Sequence, residues 1–226
     1  MECALHGGST HMPTLDVQRG PGASSNSRHF WDEWNRHRSP KYPHEKVIQF
    51  CFRHYPPEVR GQTRVLDLGC GSGTNTVFLA AEGFITTGVD LSPVGVASAQ
   101  QKLQEAGLQA CLQVADVGEE LDFPSQSFHL ILCVGVLECV DPETAARAVR
   151  SAHRLLCPGG RGLFLFASDR DFRVLSNPPL VHHGYTRAEV EQIFRLNFQQ
   201  VWIDRYVTTY RGGQIEQYDW LVTLER

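Results

Sequence analysis

The residues of this sequence that could do chemistry collect around a run of three glycines. Gly69, Gly71 and Gly73 stand at alternate positions directly after the apolar-rich stretch Val65–Leu68, and a helical pattern begins at Thr74. A strand, a tight turn and a helix start in this order are typical of a nucleotide-binding loop. Glycine lets the main chain bend sharply there and lets a ligand approach it closely.

The spacing of the glycines argues against the two commonest phosphate-binding loops. They read G-x-G-x-G, whereas the dinucleotide fingerprint is G-x-G-x-x-G, and no G-K-[ST] of a P-loop follows. Asp67, two residues before the first glycine, would repel a pyrophosphate and suits a cationic ligand. The loop therefore predicts a ligand other than a dinucleotide.

The segment Asp67–Gly73 resembles motif I of the class I S-adenosylmethionine-dependent methyltransferases. Three further segments resemble that family in the same order: Gly88–Ser92, Val114–Val117 and Leu156–Gly160. The resemblance covers roughly residues 60 to 167. It implies S-adenosyl-L-methionine as the cofactor and the transfer of its methyl group as the activity.

The resemblance also implies which residues bind the cofactor. Asp90 lies about 20 residues after the glycine loop, where a carboxylate accepts hydrogen bonds from ribose hydroxyls. Asp116 would accept from the adenine amino group, the main chain of Val117 would donate to the adenine ring, and Leu91 would pack beside it. The full predicted set is Trp31, Trp34, Asp67, Gly69, Gly71, Asp90, Leu91, Asp116, Val117 and Cys133.

Alternation of strand and helix patterns predicts an α/β fold with a mostly parallel sheet. Strands are expected at Arg64–Leu68, Ile85–Val89, Ala110–Val114, Phe128–Val134 and Gly162–Ala167, and helices are expected to begin after Ser92, Asp141 and Thr186. The segments Gln200–Tyr206 and Gln217–Leu224 predict an antiparallel hairpin. This is the Rossmann-like class I methyltransferase fold, a seven-stranded sheet with a C-terminal antiparallel hairpin and an N-terminal helical lid.

Composition divides the chain into three parts. Residues 1–28 are rich in Gly, Ser, Thr and Pro and are expected to be a flexible tail. Residues 29–58 carry aromatic and charged helical patterns, and residues 59–226 form the cofactor-binding domain. The middle part either caps the sheet or forms a lid over the methionine end of the cofactor. The lid interpretation follows from its likeness to the N-terminal aromatic segment of several small-molecule methyltransferases.

The acceptor pocket is expected between the segment Trp31–Tyr42 and the irregular stretch 168–185. Tyr42 is the candidate to contact the acceptor or the departing methyl group, and His182 and His183 are candidate bases. The family often has a histidine in a Leu-Glu-His-Val run after strand four. This chain reads Leu137-Glu138-Cys139-Val140, so no base is carried over to that position.

Composition sets the expected surroundings of the protein. A net charge of −4 without a basic patch argues against a nucleic-acid partner, and no apolar run is long enough to span a membrane. Seven cysteines without a C-x-x-C pair, and no secretory signal pattern, favour free thiols in the cytoplasm and no metal site. A monomer or homodimer is expected.

The sequence therefore predicts an enzyme that methylates an oxygen, nitrogen or carbon atom of a small molecule. One alternative is a non-catalytic subunit that binds S-adenosylmethionine or activates a partner. A nicotinamide-dependent oxidoreductase is a weaker alternative, opposed by the glycine spacing and by Asp67.

Overall fold

A seven-stranded sheet forms the centre of the molecule. The computed structural model describes residues 24–38, 40–175 and 182–226. The strands are β1 (Arg64–Leu68), β2 (Ile85–Asp90), β3 (Cys111–Val114), β4 (Phe128–Val134), β5 (Leu156–Ala167), β6 (Gln200–Tyr210) and β7 (Ile215–Glu225). They lie in the order β3-β2-β1-β4-β5-β7-β6. The first five are parallel, and β7 runs antiparallel to both β5 and β6, which confirms the predicted sheet.

Helices connect and cover the strands. They are α1 (Ser24–His37), α2 (Glu45–His54), α3 (Pro57–Arg60), α4 (Thr74–Ala81), α5 (Pro93–Glu105), α6 (Pro142–Leu155), α7 (Phe172–Leu175) and α8 (Arg187–Arg195), with a 3-10 turn at Leu137–Cys139. No helix in the described part of the chain is both long and apolar enough to cross a membrane.

The helix starts predicted from local signals are confirmed. The side chain of Ser92 accepts a hydrogen bond from the main-chain N–H of Gly95 at the start of α5. Asp141 accepts in the same way at α6. Thr186 and Glu189 form a reciprocal capping box at α8. Each cap satisfies N–H groups that the first helical turn leaves without a partner, which fixes where the helix begins.

The central strands β1, β4 and β5 are buried on both faces of the sheet. Alternate residues of the central strands point to opposite sides, as the strand period of two requires. Leu66 and Ile131 face the cluster that includes residues of α6 and α8, whereas Val65 and Leu130 face the cluster that includes Val47 of α2. The helix at 45–54 is therefore part of the core, and it anchors the segment that precedes it in the chain.

Two element starts differ most from the sequence-based expectation. β5 begins at Leu156 rather than Gly162, because its pairing with β4 shifts register between Phe128 and Leu130. The shift lets the predicted turn at 156–160 join the strand as an irregular start. At the other end, α1 begins at Ser24, inside the predicted tail. Residues 1–23 of that tail lie outside the described residues.

Two glycines with similar backbone angles test how closely the glycine loop packs on α5. Gly73 has φ +82° and a Cβ there would lie 2.5 Å from the Cβ of Ala99, whereas Gly83 has φ +86° with nothing within 4 Å. Gly83→Ala is expected to cost about 1–2 kcal/mol of unfolding free energy from the left-handed backbone alone. Gly73→Ala adds overpacking against α5 and should cost about 1–3 kcal/mol more. Urea denaturation measures both, and equal losses would contradict the close packing.

Candidate functional site

The carboxyl ends of β1, β2 and β4 meet at one edge of the sheet. The sequence order of the strands reverses between β1 and β4, and open α/β sheets bind ligands at such a point. The glycine loop leaves β1 at this edge. The main-chain N–H groups of Gly69 and Cys70 both donate to the carbonyl of Val89, at 2.8 and 2.9 Å, and so attach the loop to the end of β2.

Asp90, the last residue of β2, fixes the far side of the loop. Its Oδ2 accepts a hydrogen bond from the main chain of Gly71 at 2.7 Å, and its Oδ1 accepts one from the main chain of Ser92 at 2.9 Å. Burial raises the pKa of this carboxyl, while the two main-chain donors oppose that shift. Each carboxylate oxygen keeps further lone-pair capacity, so Asp90 can still accept from a ligand.

Asp67 lies beneath the loop rather than on its surface. Its side chain is about 1% exposed, and its Oδ2 accepts a hydrogen bond from the hydroxyl of Thr76 at 2.7 Å. Burial raises the pKa of Asp67 to about 6 against the Thr76 bond, and the nearby Asp90 acts in the same direction as burial. The structure thus places the buried carboxyl of Asp67 near enough to the half-buried Asp90 for the charge of Asp90 to raise its pKa further.

The helix α1 crosses this loop through two polar side chains that sequence reasoning missed. Asn35 is 8% exposed and fills the space between the loop and the start of α5. A Cβ at Gly71 would lie 3.1 Å from its Oδ1, and a Cβ at Gly95 would lie 2.6 Å from its Nδ2. Asp32, one turn earlier, accepts a hydrogen bond from the hydroxyl of Ser92. The sequence signal for these two residues was their spacing of three, which puts both polar side chains on one face of a helix otherwise rich in aromatics.

The two predicted tryptophans lie on the same helix. The rings of Trp31 and Trp34 pack edge to face at 6.3 Å, and Trp31 packs in the same way on Phe30 at 5.1 Å. Both tryptophans are half-buried. They line α1, the helix that carries Asn35 into the glycine loop, and so lie on the segment predicted to be the lid.

The third predicted motif reaches the same edge of the sheet. The main chain of Ala115 donates to the carbonyl of Asp90 at 2.9 Å, which holds Asp116 beside the end of β2. Asp116 is half-buried, and its Oδ1 accepts from the main chain of Gly118 at 2.8 Å. The side chain of Val117 packs into the core, and Leu91 is half-buried directly after Asp90. The structure thus brings the predicted adenine and ribose residues together.

Cys133 is as deeply buried as Asp67. It lies one residue before the end of β4 with 1% of its surface exposed, and burial raises the pKa of its thiol well above the ordinary value. The negative charges of Glu138 and Asp67 act in the same direction.

The predicted acceptor residues do not form one group. Tyr42 is 72% exposed, with the ammonium of Lys41 5.5 Å from its ring centre. The segment that carries it is attached to α4, because the hydroxyl of Thr74 donates to the carbonyl of Pro40 at 2.6 Å. His182 is exposed. The ring of His183 lies 2.9 Å from the carboxylate of Glu189, so it belongs to the capping box of α8.

A buried charged cluster, missed by sequence reasoning, lies beyond the end of β4. It consists of Glu138, Asp171, Arg173 and Asp219, which come from the 3-10 turn, the segment after β5, α7 and β7. Arg173 donates to Asp171 at 2.7 Å and also pairs with Asp219. Asp171 accepts in addition from the main chain of Tyr218 at 2.7 Å. These residues are up to 81 positions apart in the sequence, so only the folded chain brings them together.

Glu138 is the least satisfied member of this cluster. Its Oε1 lies 3.9 Å from Arg173 Nη1, too long for a hydrogen bond, and its buried Oε2 has no hydrogen-bond partner within the described part of the chain. Burial raises the pKa of Glu138 to about 7. Asp219 and Asp171 act in the same direction, whereas the positive charge of Arg173 opposes them. This carboxyl therefore exchanges its proton near neutral pH.

Asp219 pairs with Arg173 of the 168–185 segment. Burial lowers the pKa of His44, and the negative charge of Asp219 opposes that shift. His44 caps α2 directly after the Trp31–Tyr42 segment, and its ring packs edge to face on Tyr206 of β6 at 5.2 Å. An open groove of about 560 Å³ lies between α7 and the turn of the β6–β7 hairpin.

Comparison with known proteins shows which proteins this chain resembles. The family model described as "Methyltransferase domain" matches residues 65–160. The ubiquinone biosynthesis O-methyltransferase of Coxiella burnetii is 34% identical over 133 residues, which cover 58% of this chain and 51% of the relative. The chain thus spans about half the length of the curated relatives it matches.

Solved structures show the same fold. A SAM-dependent methyltransferase from Methanosarcina mazei superposes with a TM-score of 0.61 and 19% identity, over 73% of this chain and 92% of that one. A structure from work on the conversion of a disulfide bond into a thioacetal group during echinomycin biosynthesis gives a TM-score of 0.69 and 20% identity, over 88% and 92%. At these identities the likeness concerns the fold alone.

The buried Asp67 predicts a pH-dependent stability. Its pKa is raised in the folded state, so between about pH 4 and pH 6 the unfolded chain ionises Asp67 while the folded chain keeps its proton. Ionisation then favours unfolding. Relative to Asp67→Asn, the wild type should lose up to about 3 kcal/mol of unfolding free energy as the pH rises from 4 to 7.

Urea denaturation at several pH values measures this difference, and Thr76→Val is the companion variant. The Thr76 hydroxyl lowers the pKa of Asp67, so its removal should move the loss of stability to higher pH. A constant difference between wild type and Asp67→Asn at every pH would show that folding does not raise the pKa of Asp67.

Proposed function

We propose that the protein is a class I S-adenosylmethionine-dependent methyltransferase that transfers a methyl group to an oxygen, nitrogen or carbon atom of a small-molecule acceptor, as the methyltransferase-domain match over residues 65–160 and the shared fold support. The observation that carries this proposal is Asp90. Its two oxygens are oriented by main-chain donors from the glycine loop and from the start of α5, and both remain able to accept from a ribose. The ubiquinone biosynthesis O-methyltransferases among the relatives support a small-molecule acceptor and favour oxygen.

The residues at the sheet edge fit S-adenosylmethionine. Asp90 would accept from the ribose hydroxyls, and Asp116 would accept from the adenine amino group beside Leu91 and Val117. Gly69 and Gly71, both at positive φ, would let the ligand approach the main chain. When bound, the cofactor supplies a methyl group on a positively charged sulfur, which suits an edge lined by carboxylates.

Methyl transfer asks the protein for alignment, for exclusion of water and, at an oxygen or nitrogen acceptor, for removal of a proton. Helix α1 serves the first two needs, because it presses Asn35 onto the glycine loop and joins Asp32 to Ser92. We assign residues 29–58 the role of a lid on this basis, with Trp31 and Trp34 on the cofactor side and Tyr42 toward the acceptor. Lids of this kind shield many active sites from water.

The cysteines and the net charge support the proposed compartment and class of acceptor. Cys51, Cys70, Cys111, Cys133 and Cys157 are free thiols, which supports a reducing compartment such as the cytoplasm. The net charge of −4 supports a small-molecule acceptor over a nucleic acid. In the described residues, no three His, Cys, Asp or Glu side chains are grouped so as to hold a metal ion.

Asp90→Ala tests the cofactor assignment. The variant removes the two hydrogen bonds expected from the ribose to a charged acceptor, so it should weaken S-adenosylhomocysteine binding by about 1.5–3 kcal/mol, or roughly 10- to 150-fold. Isothermal calorimetry measures the affinity. Asp204→Ala, an exposed carboxylate of β6, is the control and should bind as the wild type does. Unchanged affinity in Asp90→Ala, or tight binding of NAD by the wild type, would contradict the assignment.

Asn35→Ala tests the lid. It should leave the glycine loop uncovered on the α1 side and weaken S-adenosylhomocysteine binding by about 1–3 kcal/mol, the cost of losing a buried polar contact. Glu33→Ala changes an exposed residue of the same helix and serves as the matched control.

A truncation that removes residues 1–23 should bind and turn over normally, whereas removal of residues 1–43 should abolish turnover. If the longer truncation folds and still binds the cofactor product with wild-type affinity, α1 is only a cap on the sheet.

A further inference from the structure

The cluster of Glu138, Asp171, Arg173 and Asp219 holds more negative than positive charge. Arg173 makes its short ion pairs with Asp171 and Asp219. Its Nη1 lies 3.9 Å from Oε1 of Glu138, which is too far for a hydrogen bond. Asp171 is satisfied further by the main chains of Arg173 and Tyr218. Glu138 alone keeps a buried oxygen, Oε2, without a hydrogen-bond partner among the described residues. A buried polar atom left in this state is costly unless a ligand or water completes it.

The position of Glu138 connects it to the cofactor side of the site. It follows β4 in the turn after Gly135. Its negative charge raises the pKa of Cys133, as does the charge of Asp67. It also raises the pKa of Cys139, as does the charge of Asp90. Arg173 is the cluster member whose side chain is partly exposed, at 24%, so the cluster meets solvent at its guanidinium. Glu138 thus follows the end of β4 and lies next to the one cluster member that solvent reaches.

The other groups around Glu138 do not replace it as a proton acceptor. The main chains of His182 and His183 donate to its carbonyl at 2.7 and 3.0 Å, which leaves the carboxyl untouched. The hydroxyl of Tyr185 donates to the carbonyl of Leu137 at 2.9 Å, and its pKa is raised by burial and by the charge of Glu138. The thiols of Cys133 and Cys139 have pKa values raised well above the ordinary range.

We propose that Glu138 receives the hydrogen of the methyl acceptor, and that the acceptor therefore presents a hydroxyl or amine N–H at this position and no negative charge. This inference rests on the proposed function. Bound S-adenosylmethionine would supply the methyl group, and the methyl–sulfur bond would break with its electron pair left on sulfur as the acceptor's oxygen or nitrogen takes the methyl group. The acceptor's O–H or N–H bond would break as well, and its proton would pass to the Glu138 carboxylate and then to solvent. A carboxylate acceptor would instead meet Glu138, Asp171 and Asp219 against the single charge of Arg173.

Three small aromatic probes of different charge test the class of acceptor. Phenol, benzylamine and benzoate are titrated into the full chain saturated with S-adenosylhomocysteine, and binding is followed by calorimetry and by ligand-observed NMR. Benzylamine and phenol should bind the wild type at least about tenfold more tightly than benzoate, because hydrogen bonds to a charged group favour the donors.

Glu138→Gln tests the residue. It should weaken benzylamine binding about tenfold or more, while Glu143→Gln, an exposed carboxylate at the start of α6, should leave it unchanged. In the wild type, benzylamine affinity should fall as the pH drops below 7, because Glu138 then takes up a proton, and this dependence should be absent in Glu138→Gln. A purely structural Glu138 would not move this pH profile.

The two proposals fail in different ways. If the wild type does not bind S-adenosylhomocysteine, the proposed function is wrong. If it does, the inference is overturned by benzoate binding as well as the donors, by no probe binding at millimolar concentration, or by an unchanged benzylamine profile in Glu138→Gln. Affinity for S-adenosylhomocysteine within about twofold of wild type shows that the variant is folded. Should Glu138→Gln fail this check, Glu138→Asp, which withdraws the charge by one methylene, takes its place with the same expected loss.

Discussion

The pair of hydrogen bonds that Asp90 accepts is the interaction on which the rest of the site depends. Through Gly71 it holds the glycine loop that leaves β1, and through Ser92 it holds the start of α5 that follows β2. Ser92 extends the connection, because its hydroxyl caps α5 by accepting from Gly95 and also donates to Asp32 of α1. One carboxylate thus positions two crossover connections, and Ser92 adds the helix above them.

This constraint explains why the loop needs glycine at particular places. Gly71 and Gly95 face Asn35 from two sides, and a Cβ at Gly95 would lie 2.6 Å from its amide nitrogen. Gly73 lies against Ala99 in the same way. Close packing of α1 and α5 on the loop accounts for Gly71, Gly73 and Gly95, and the side chain of Val136 accounts for Gly69, where a Cβ would lie 2.2 Å from its Cγ2.

The features that sequence reasoning predicted are those that local signals determine. The caps at Ser92, Asp141 and Thr186 and the strand Arg64–Leu68 each depend on a few neighbouring residues, and all are confirmed. Contacts between distant segments left no comparable signal. Asn35 and the partners of Arg173 depend on packing across the fold, and the early start of β5 depends on its pairing with β4. The prediction that His183 is a base remains untested, and the structure engages its ring with Glu189.

Asp67 and Glu138 are both buried carboxyls with raised pKa values. Asp67 lies below the glycine loop and Glu138 lies beyond β4, and burial raises the two pKa values to about 6 and about 7. A fold that needed only packing could place apolar residues at both positions and avoid the cost of burying charge. Thr76 partly offsets that cost at Asp67, whereas no described hydrogen-bond partner completes Oε2 of Glu138. Because ionisable groups with perturbed pKa values concentrate where chemistry occurs, this difference favours a structural role for Asp67 and a chemical role for Glu138.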